Sequence, residues 1–373
     1  MLRIHFPGKL VFGNHCIDEL PGEVANLAPA RVLILTITPL LAHLQPLFKA
    51  LEQRNITIAL YTSITQEPTF NDFHRVMSEA TPFDPDLILG IGGGSVLDIA
   101  KLVAAQLGNA QCINHYVGIG LLKGRGRKLI CIPTTSGTGS EVSPNAILVD
   151  NNDNQKKGII SPYLVPDIVY VDPLLTIGVP PAITAATGLD ALTHCLEAYT
   201  NKFAQPFIDL YAFEGMRLIA ENLVRAVRNG ADEEARSQVA MGSLLGGFCL
   251  GPVNTAAVHA LSYPLGSSFH LPHGLSNALL LPYVMEFNLP AARDRYTGVA
   301  RALGVTTAEE GVKTIRQLIR DCGIPATLKE AAIPYDAIET MAADAMKITR
   351  LLNNNPRPVS KEDAIAIYQA AYE

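Results

Sequence analysis

Three of the nine histidines fall within fifteen residues, His259, His270 and His273, in the stretch GPVNTAAVHALSYPLGSSFHLPHGLSNALLLP from Gly251 to Pro282. A second segment, GLDALTHCLEAY from Gly188 to Tyr199, reads as helix. Its Asp190 and His194 are four apart, so both side chains leave one face. A carboxylate and a histidine one turn apart, joined by two more histidines, make a mixed nitrogen and oxygen shell for a divalent transition metal. The proposed ligand set is Asp190, His194, His259 and His273. Taken alone, an Asp/His pair at helical spacing also describes a solvated or capped helix face.

A metal shell of this kind needs rigid elements to hold it, and the chain supplies two sorts. Apolar runs at Arg31–Thr36, Thr57–Tyr61, Asp86–Ile91, Lys128–Ile132 and Ile168–Val171 read as buried parallel strands, after an opening strand near Lys9–Gly13. Helical patterns at 40–54 and 71–80 lie between them. From Val179-Pro-Pro181 onward helical periodicity dominates, with helices expected near 182–200, 206–229, 233–249 and 255–265. The expected organisation is an α/β dinucleotide-binding domain with a parallel sheet over 1–180 and an all-helical metal-binding and catalytic domain over 181–373.

The strand ending at Ile91 runs into Gly92-Gly93-Gly94-Ser95 and then an apolar-faced helix carrying Asp98 and Lys101. Glycines let backbone approach a ligand, and the following helix presents free N–H groups to an anion, so the loop reads as a pyrophosphate cradle. The spacing is not GxGxxG, because Ser95 stands at the sixth position, and a tight structural turn has the same composition. After the strand at Lys128, Pro133-Thr-Thr-Ser-Gly-Thr-Gly-Ser-Glu141 offers short hydroxyl donors on flexible backbone. That suits a loop around a polar ligand, or a plain Ser/Thr-rich connection.

These motifs, in this order, resemble the iron-containing, or group III, alcohol dehydrogenases. GLDALTHCLEAY, HALSYPLG and LPHGLSNALLLP look like the family's metal signatures, and GGGSVLDIAK and PTTSGTGSEVS like its cofactor loops; Asn355-Pro-Arg-Pro358 is similar to its closing NPRP. The resemblance implies a dehydroquinate synthase-like architecture with Asp190, His194, His259 and His273 around Fe2+, or Zn2+. It implies NAD or NADP held by Gly92, Gly93, Gly94, Ser95, Asp98, Thr135, Thr138, Ser140 and Lys156, with Lys157 a neighbour able to substitute. His270 is not a ligand position in that pattern. The substrate would be a small alcohol or aldehyde in the interdomain cleft, near Asn145, Phe248, Phe269 and Tyr263, and relatives suggest a homodimer or larger homo-oligomer.

Two positions depart from the family. Tyr263 stands where many members carry a histidine, and a phenol with a pKa of about 10, against about 6.5 for imidazole, is a donor at neutral pH. Tyr263 therefore orients substrate or donates a proton, or is a pocket wall. Ile37 stands where an aspartate often contacts the ribose, so either dinucleotide is admitted. Rival readings are a metal-independent reductase of the maleylacetate reductase type, a synthase of the dehydroquinate type, and a non-catalytic nucleotide-binding module.

The whole chain bounds these readings. Lys plus Arg number 29 against 35 Asp plus Glu, a net charge of -6 with no basic aromatic run, which excludes nucleic acid as a partner. No signal pattern opens the chain and no eighteen apolar residues run together, so no membrane association and a cytoplasmic location are expected. Six cysteines without a CxxC pair read as reduced thiols, mostly in the core.

Overall fold

The computed structural model describes residues 2–64, 67–152 and 155–373. They form two compact units, one of Ile4–Thr135 and Ser140–Thr176, the other containing Ser136–Gly139 and Ile177–Glu373. The first unit is built on strands β1 (Lys9–Phe12), β2 (Arg31–Leu35), β3 (Thr57–Tyr61), β4 (Leu87–Gly92), β5 (Gly118–Ile119), β6 (Lys128–Pro133), β7 (Asn145–Val149), β8 (Lys156–Ile160) and β9 (Ile168–Val171). Helices α1 (Leu20–Leu27), α2 (Leu41–Glu52), α3 (Phe70–Phe83) and α4 (Gly94–Gln106) connect them.

Among the described residues six strands form one sheet in the order β1-β9-β6-β4-β2-β3, every pair parallel. Alternation along the strands feeds two cores. Leu33, Leu35, Ile88, Leu129 and Cys131 face α3 and α4 through Phe73, Val76, Val96 and Ile99, whereas Val32, Ile34, Leu89, Ile130 and Ile132 face α1 and α2 through Leu20, Val24, Leu44 and Phe48. Helices on both faces are what continuous apolar strands require. The chain runs outward from β2 to β3, then returns to place β4 on the other side of β2. The loops after β2 and β4 thus flank a topological switch point, where open parallel sheets bind ligands.

A second sheet, β5-β8-β7, was not expected from the sequence. Its strands are short and mostly half-buried, and Lys156-Lys157-Gly158 gives β8 no apolar run to announce it. Lys156 begins β8 with its ammonium 2.5 Å from the Glu67 carboxylate.

The second unit is helical: α5 (Pro181–Thr200), α6 (Pro206–Arg228), α7 (Glu233–Leu250), α8 (Ala257–Phe269), α9 (His273–Asn288), α10 (Arg293–Ala302), α11 (Ala308–Asp321), α12 (Ile338–Ala345), α13 (Thr349–Leu352) and α14 (Lys361–Tyr372). Helix α5 is buried along most of its length and packs against α6, α7 and α9. Close approach depends on glycine: a Cβ on Gly215 would stand 2.5 Å from Cys195 Sγ, and one on Gly242 2.5 Å from Ile219. No described helix is long and apolar enough to cross a membrane. The six cysteines are free thiols, and all but Cys112 are buried.

Glu141, at the foot of the Ser/Thr-rich loop, is buried, and burial pushes its pKa up to about 7 from an ordinary value near 4.5. The folded chain therefore keeps a proton that the unfolded chain releases between those values, and stability falls as pH rises through that window. Replacing Glu141 by Gln removes the titration. Relative to wild type, Glu141→Gln is expected to gain on the order of 2–3 kcal/mol at pH 8 over its effect at pH 4.5. Urea unfolding midpoints at the two pH values read this out, and parallel pH profiles for the two proteins would refute it.

Candidate metal centre and dinucleotide loops

The four residues picked out by spacing come from three helices. Asp190 and His194 lie on α5, His259 in the first turn of α8 and His273 at the start of α9. Their geometry is convergent: the Nε2 atoms of His194, His259 and His273 stand 3.7, 3.6 and 3.7 Å from one oxygen, Asp190 Oδ1. Ligand atoms of Asp190, His259 and His273 all lie within 4.8 Å of one another. His194 stacks on His259 with ring centroids 4.8 Å apart.

Those separations fit a metal. Donors at about 2.1 Å from a tetrahedral ion are spaced about 3.4 Å apart, close to the three distances to Asp190 Oδ1, whereas a hydrogen bond would draw each Nε2 below about 3.2 Å; His194 lies outside the mutually close group of Asp190, His259 and His273. Three imidazoles and a carboxylate suit Fe2+ or Zn2+ equally. Asp190, His194 and His259 are buried, while 26% of the His273 side chain is exposed, so the centre opens on the His273 side. The Tyr263 ring is on that side, 6.1 Å from the His273 ring. His270 is exposed, in left-handed conformation at the end of α8, and is not part of the cluster.

The electrostatics are those of a charged centre removed from water. Burial alone would raise the Asp190 pKa, but His194, His273 and His259 hold it well below the usual carboxylate range. Burial lowers that of His194, offset only in part by Asp190. It also works against a charge on His259, but Glu197 and Asp190 outweigh it and raise that pKa to about 9.

Two buried residues that sequence reasoning passed over complete the centre. Glu197 accepts from Val258 N at 2.6 Å and lies 2.5 Å from His259 Nδ1. Asn277 donates from Nδ2 to Asp190 Oδ1 at 2.7 Å, and the same nitrogen is 3.1 Å from His259 Nε2 and 3.4 Å from His273 Nε2. The signal for both was helical spacing: Glu197 follows Asp190 by seven and Asn277 follows His273 by four, the same face in each case. Gly274 makes the meeting of α5 and α9 possible, since a Cβ there would stand 2.1 Å from the Ala186 carbonyl oxygen.

In the first unit the glycine loop lies at the switch point. Gly93 is the N-cap of α4 without a side-chain cap, and the first turn holds no acid. Gly92 and Gly90 let β4 and α4 approach closely, added Cβ atoms meeting Val96 at 2.7 Å and Ala100 at 2.8 Å. Ser95 is half-buried in that first turn, and Thr135 packs against Gly93. Thr36, just after β2, is fully buried with no hydrogen-bond partner for its hydroxyl. Asp98 and Ser140 face each other, Ser140 Oγ donating to Asp98 Oδ1 at 2.5 Å, while Ile147 N donates to Oδ2. Lys101, fully buried, donates to Ser140 O, Ser140 Oγ and Ser143 O. Asp98, Ser140 and Lys101 thus brace the Ser/Thr-rich loop against α4. The middle of that loop, with Thr138, belongs to the helical unit. There an added Cβ on Gly137 would meet Thr187 at 2.7 Å, and Gly139, at φ +61, approaches Gly247.

Comparison with known proteins identifies the family. The sequence model described as "Iron-containing alcohol dehydrogenase" matches residues 7–173, and "Fe-containing alcohol dehydrogenase family, C-terminal" matches 184–372. The chain is 38% identical to Long-chain-alcohol dehydrogenase 1 of Geobacillus thermodenitrificans, over 99% of this chain and 96% of that one. Among solved structures, an alcohol dehydrogenase from Oenococcus oeni superposes with a TM-score of 0.96 at 30% identity, covering 100% of both chains. Sulfoacetaldehyde reductase from Bifidobacterium kashiwanohense in complex with NAD+ does so at 0.90 and 25%, covering 100% and 98%.

Two outcomes are expected. Gly274→Ala forces α9 off α5, costing about 1–3 kcal/mol of stability and weakening Zn2+ binding in the same protein. Wild-type values for both in urea unfolding and chelator competition would contradict that account. Because a cation replaces any proton carried by a ligating imidazole, apparent Zn2+ affinity should fall as pH drops from neutrality into the ordinary histidine range, measured by competition at each pH. A flat profile is the contrary result.

Proposed function

Because the chain belongs to the iron-containing alcohol dehydrogenase family and is an oxidoreductase acting on CH–OH donors, we propose that Asp190, His194, His259 and His273 hold its divalent metal, Fe2+ by family. The observation that carries this reading is the convergence of three Nε2 atoms on Asp190 Oδ1 at 3.6–3.7 Å. When bound, the ion supplies Lewis acidity to the alcohol or carbonyl oxygen, and NAD accepts or gives the hydride. The burial of three of the four ligands keeps water from the reacting atoms and strengthens every charge interaction there. Tyr263, beside the exposed edge of His273, orients the substrate hydroxyl or donates a proton to the carbonyl oxygen during reduction.

The first unit binds the dinucleotide in this reading. Gly92, Gly93, Gly94 and Ser95 receive the pyrophosphate at the start of α4, and Thr135 adds a hydroxyl contact; Thr138, which lies in the helical unit, is carried only by the family resemblance. Asp98 and Ser140 keep the Ser/Thr-rich loop in place through their own hydrogen bond. Lys156 stands with its charge paired to Glu67. Support for NAD comes from the relative crystallised with NAD+. Ile37, half-buried after β2, offers neither an acid to repel a 2′-phosphate nor a base to bind one, so NADP belongs in the same assay. Phe207 and Leu210 stay exposed on α6, which supports a homo-oligomer.

The test is a coupled assay of small alcohols, diols, long-chain alcohols and aldehydes, with NAD and NADP, using protein stripped by chelator and reloaded with Fe2+ or Zn2+. Activity is expected to return with metal and to fall at least about a hundredfold in His259→Ala. Chelator-resistant activity indifferent to His259 would sink the metal reading. Tyr263→Phe is expected to lower kcat about tenfold or more; wild-type turnover with an unchanged pH profile would remove Tyr263 from the chemistry.

A further inference from the structure

The buried carboxylate of Glu197 has both oxygens committed, Oε1 to Val258 N and Oε2 to His259 Nδ1. We propose that Glu197 is a positioning residue that fixes the tautomer of His259, and so decides whether that ring presents a lone pair to the centre. The inference rests on the reading of His259 as a ligand.

An ionised carboxylate only accepts, so the nitrogen 2.5 Å from Oε2 must carry a hydrogen. In the neutral ring, the form a cation binds, that leaves His259 Nε2 as the atom with a free lone pair, 3.6 Å from Asp190 Oδ1. The opposite side of the ring reaches the same conclusion independently. Asp190 demands a donor from Asn277, which orients the amide with Nδ2 inward, and this nitrogen also sits 3.1 Å from His259 Nε2. A donor there is satisfied only if Nε2 accepts. Two buried groups from α5 and α9 therefore select one tautomer between them.

The bond to Val258 N adds a positional constraint. That N–H is in the first turn of α8, where the helix itself supplies no acceptor, and it immediately precedes His259. One carboxylate thus fixes both the backbone and the ring of the same residue.

Glutamine in place of Glu197 has nearly the same shape and the opposite consequence. Val258 N–H takes the amide oxygen, which turns the NH2 group towards His259 Nδ1. Nδ1 must then accept, the ring hydrogen moves to Nε2, and the lone pair a cation needs is gone. Aspartate is smaller but remains an acceptor.

The experiment uses full-length protein freed of metal by chelator, titrated with Co2+ and followed by its visible d–d absorption, with Zn2+ affinity measured by chelator competition. Glu197→Gln is expected to bind both ions about 10–100-fold more weakly than wild type while its metal-free form melts like the wild-type metal-free form. Glu197→Asp is expected to bind more tightly than Glu197→Gln. A role in packing alone gives the reverse order, because Gln fills the space and Asp leaves a void. Affinity of Glu197→Gln equal to wild type, or above that of Glu197→Asp, overturns the proposal. Should Glu197→Gln not fold, Glu197→Asp decides: affinity nearer wild type than His259→Ala supports the proposal, and affinity matching His259→Ala overturns it. His259→Ala is also the control. If it binds metal like wild type, the ligand reading itself fails and this inference with it; if it loses metal while Glu197→Gln does not, only this inference fails.

Discussion

A carboxylate in the middle of a helical bundle is the constraint on which the second unit turns. Asp190 is buried and stays ionised, and a buried charge without compensation is costly enough to unfold a domain. Compensation comes from His194 one turn along the same helix and from two imidazoles and an amide contributed by α8 and α9, distant in sequence. The requirement fixes where α8 and α9 must lie against α5, so the bundle is organised by a polar centre as much as by its apolar packing.

The first unit solves a different problem by simpler means. Its sheet is apolar on both faces and needs only helices to cover it, and the order of the strands then creates the switch point. The cofactor contacts proposed there lie in backbone, at the glycines after β4, and in the hydroxyl-rich loop after β6. Lys101 is the exception: its ammonium is wholly buried yet saturated by three oxygens of that loop, which makes it a structural cation within an otherwise apolar helix face.

What the sequence made legible follows from how local each signal is. The parallel strands announced themselves as apolar runs, the helix after Gly94 by its periodicity, and the proposed metal ligands by one four-residue helical spacing together with the resemblance to the family's metal signatures. Strands β7 and β8 stayed hidden because half-buried strands with lysines carry no such pattern. Glu197 and Asn277 lay inside motifs already singled out, but their roles depend on which atoms meet across helices, and spacing along one helix gives only the face. The assignment of Ser136–Gly139 to the helical unit is also non-local, resting on close approaches to Thr187 and Gly247.

The sheet order carries a consequence for how the chain comes to be folded. The edge strand β1 pairs only with β9, Lys9 opposite Ile168, whereas β2, β3, β4 and β6 find their neighbours within a much shorter span. On a ribosome β1 must wait until nearly the whole of this unit has emerged, while β2, β3, β4 and β6 already have partners. Contacts that close such long loops form late and slow the reaction. The β9 side of β6 thus stays open until the ninth strand emerges, an unpaired strand edge of the kind that invites pairing with a second chain.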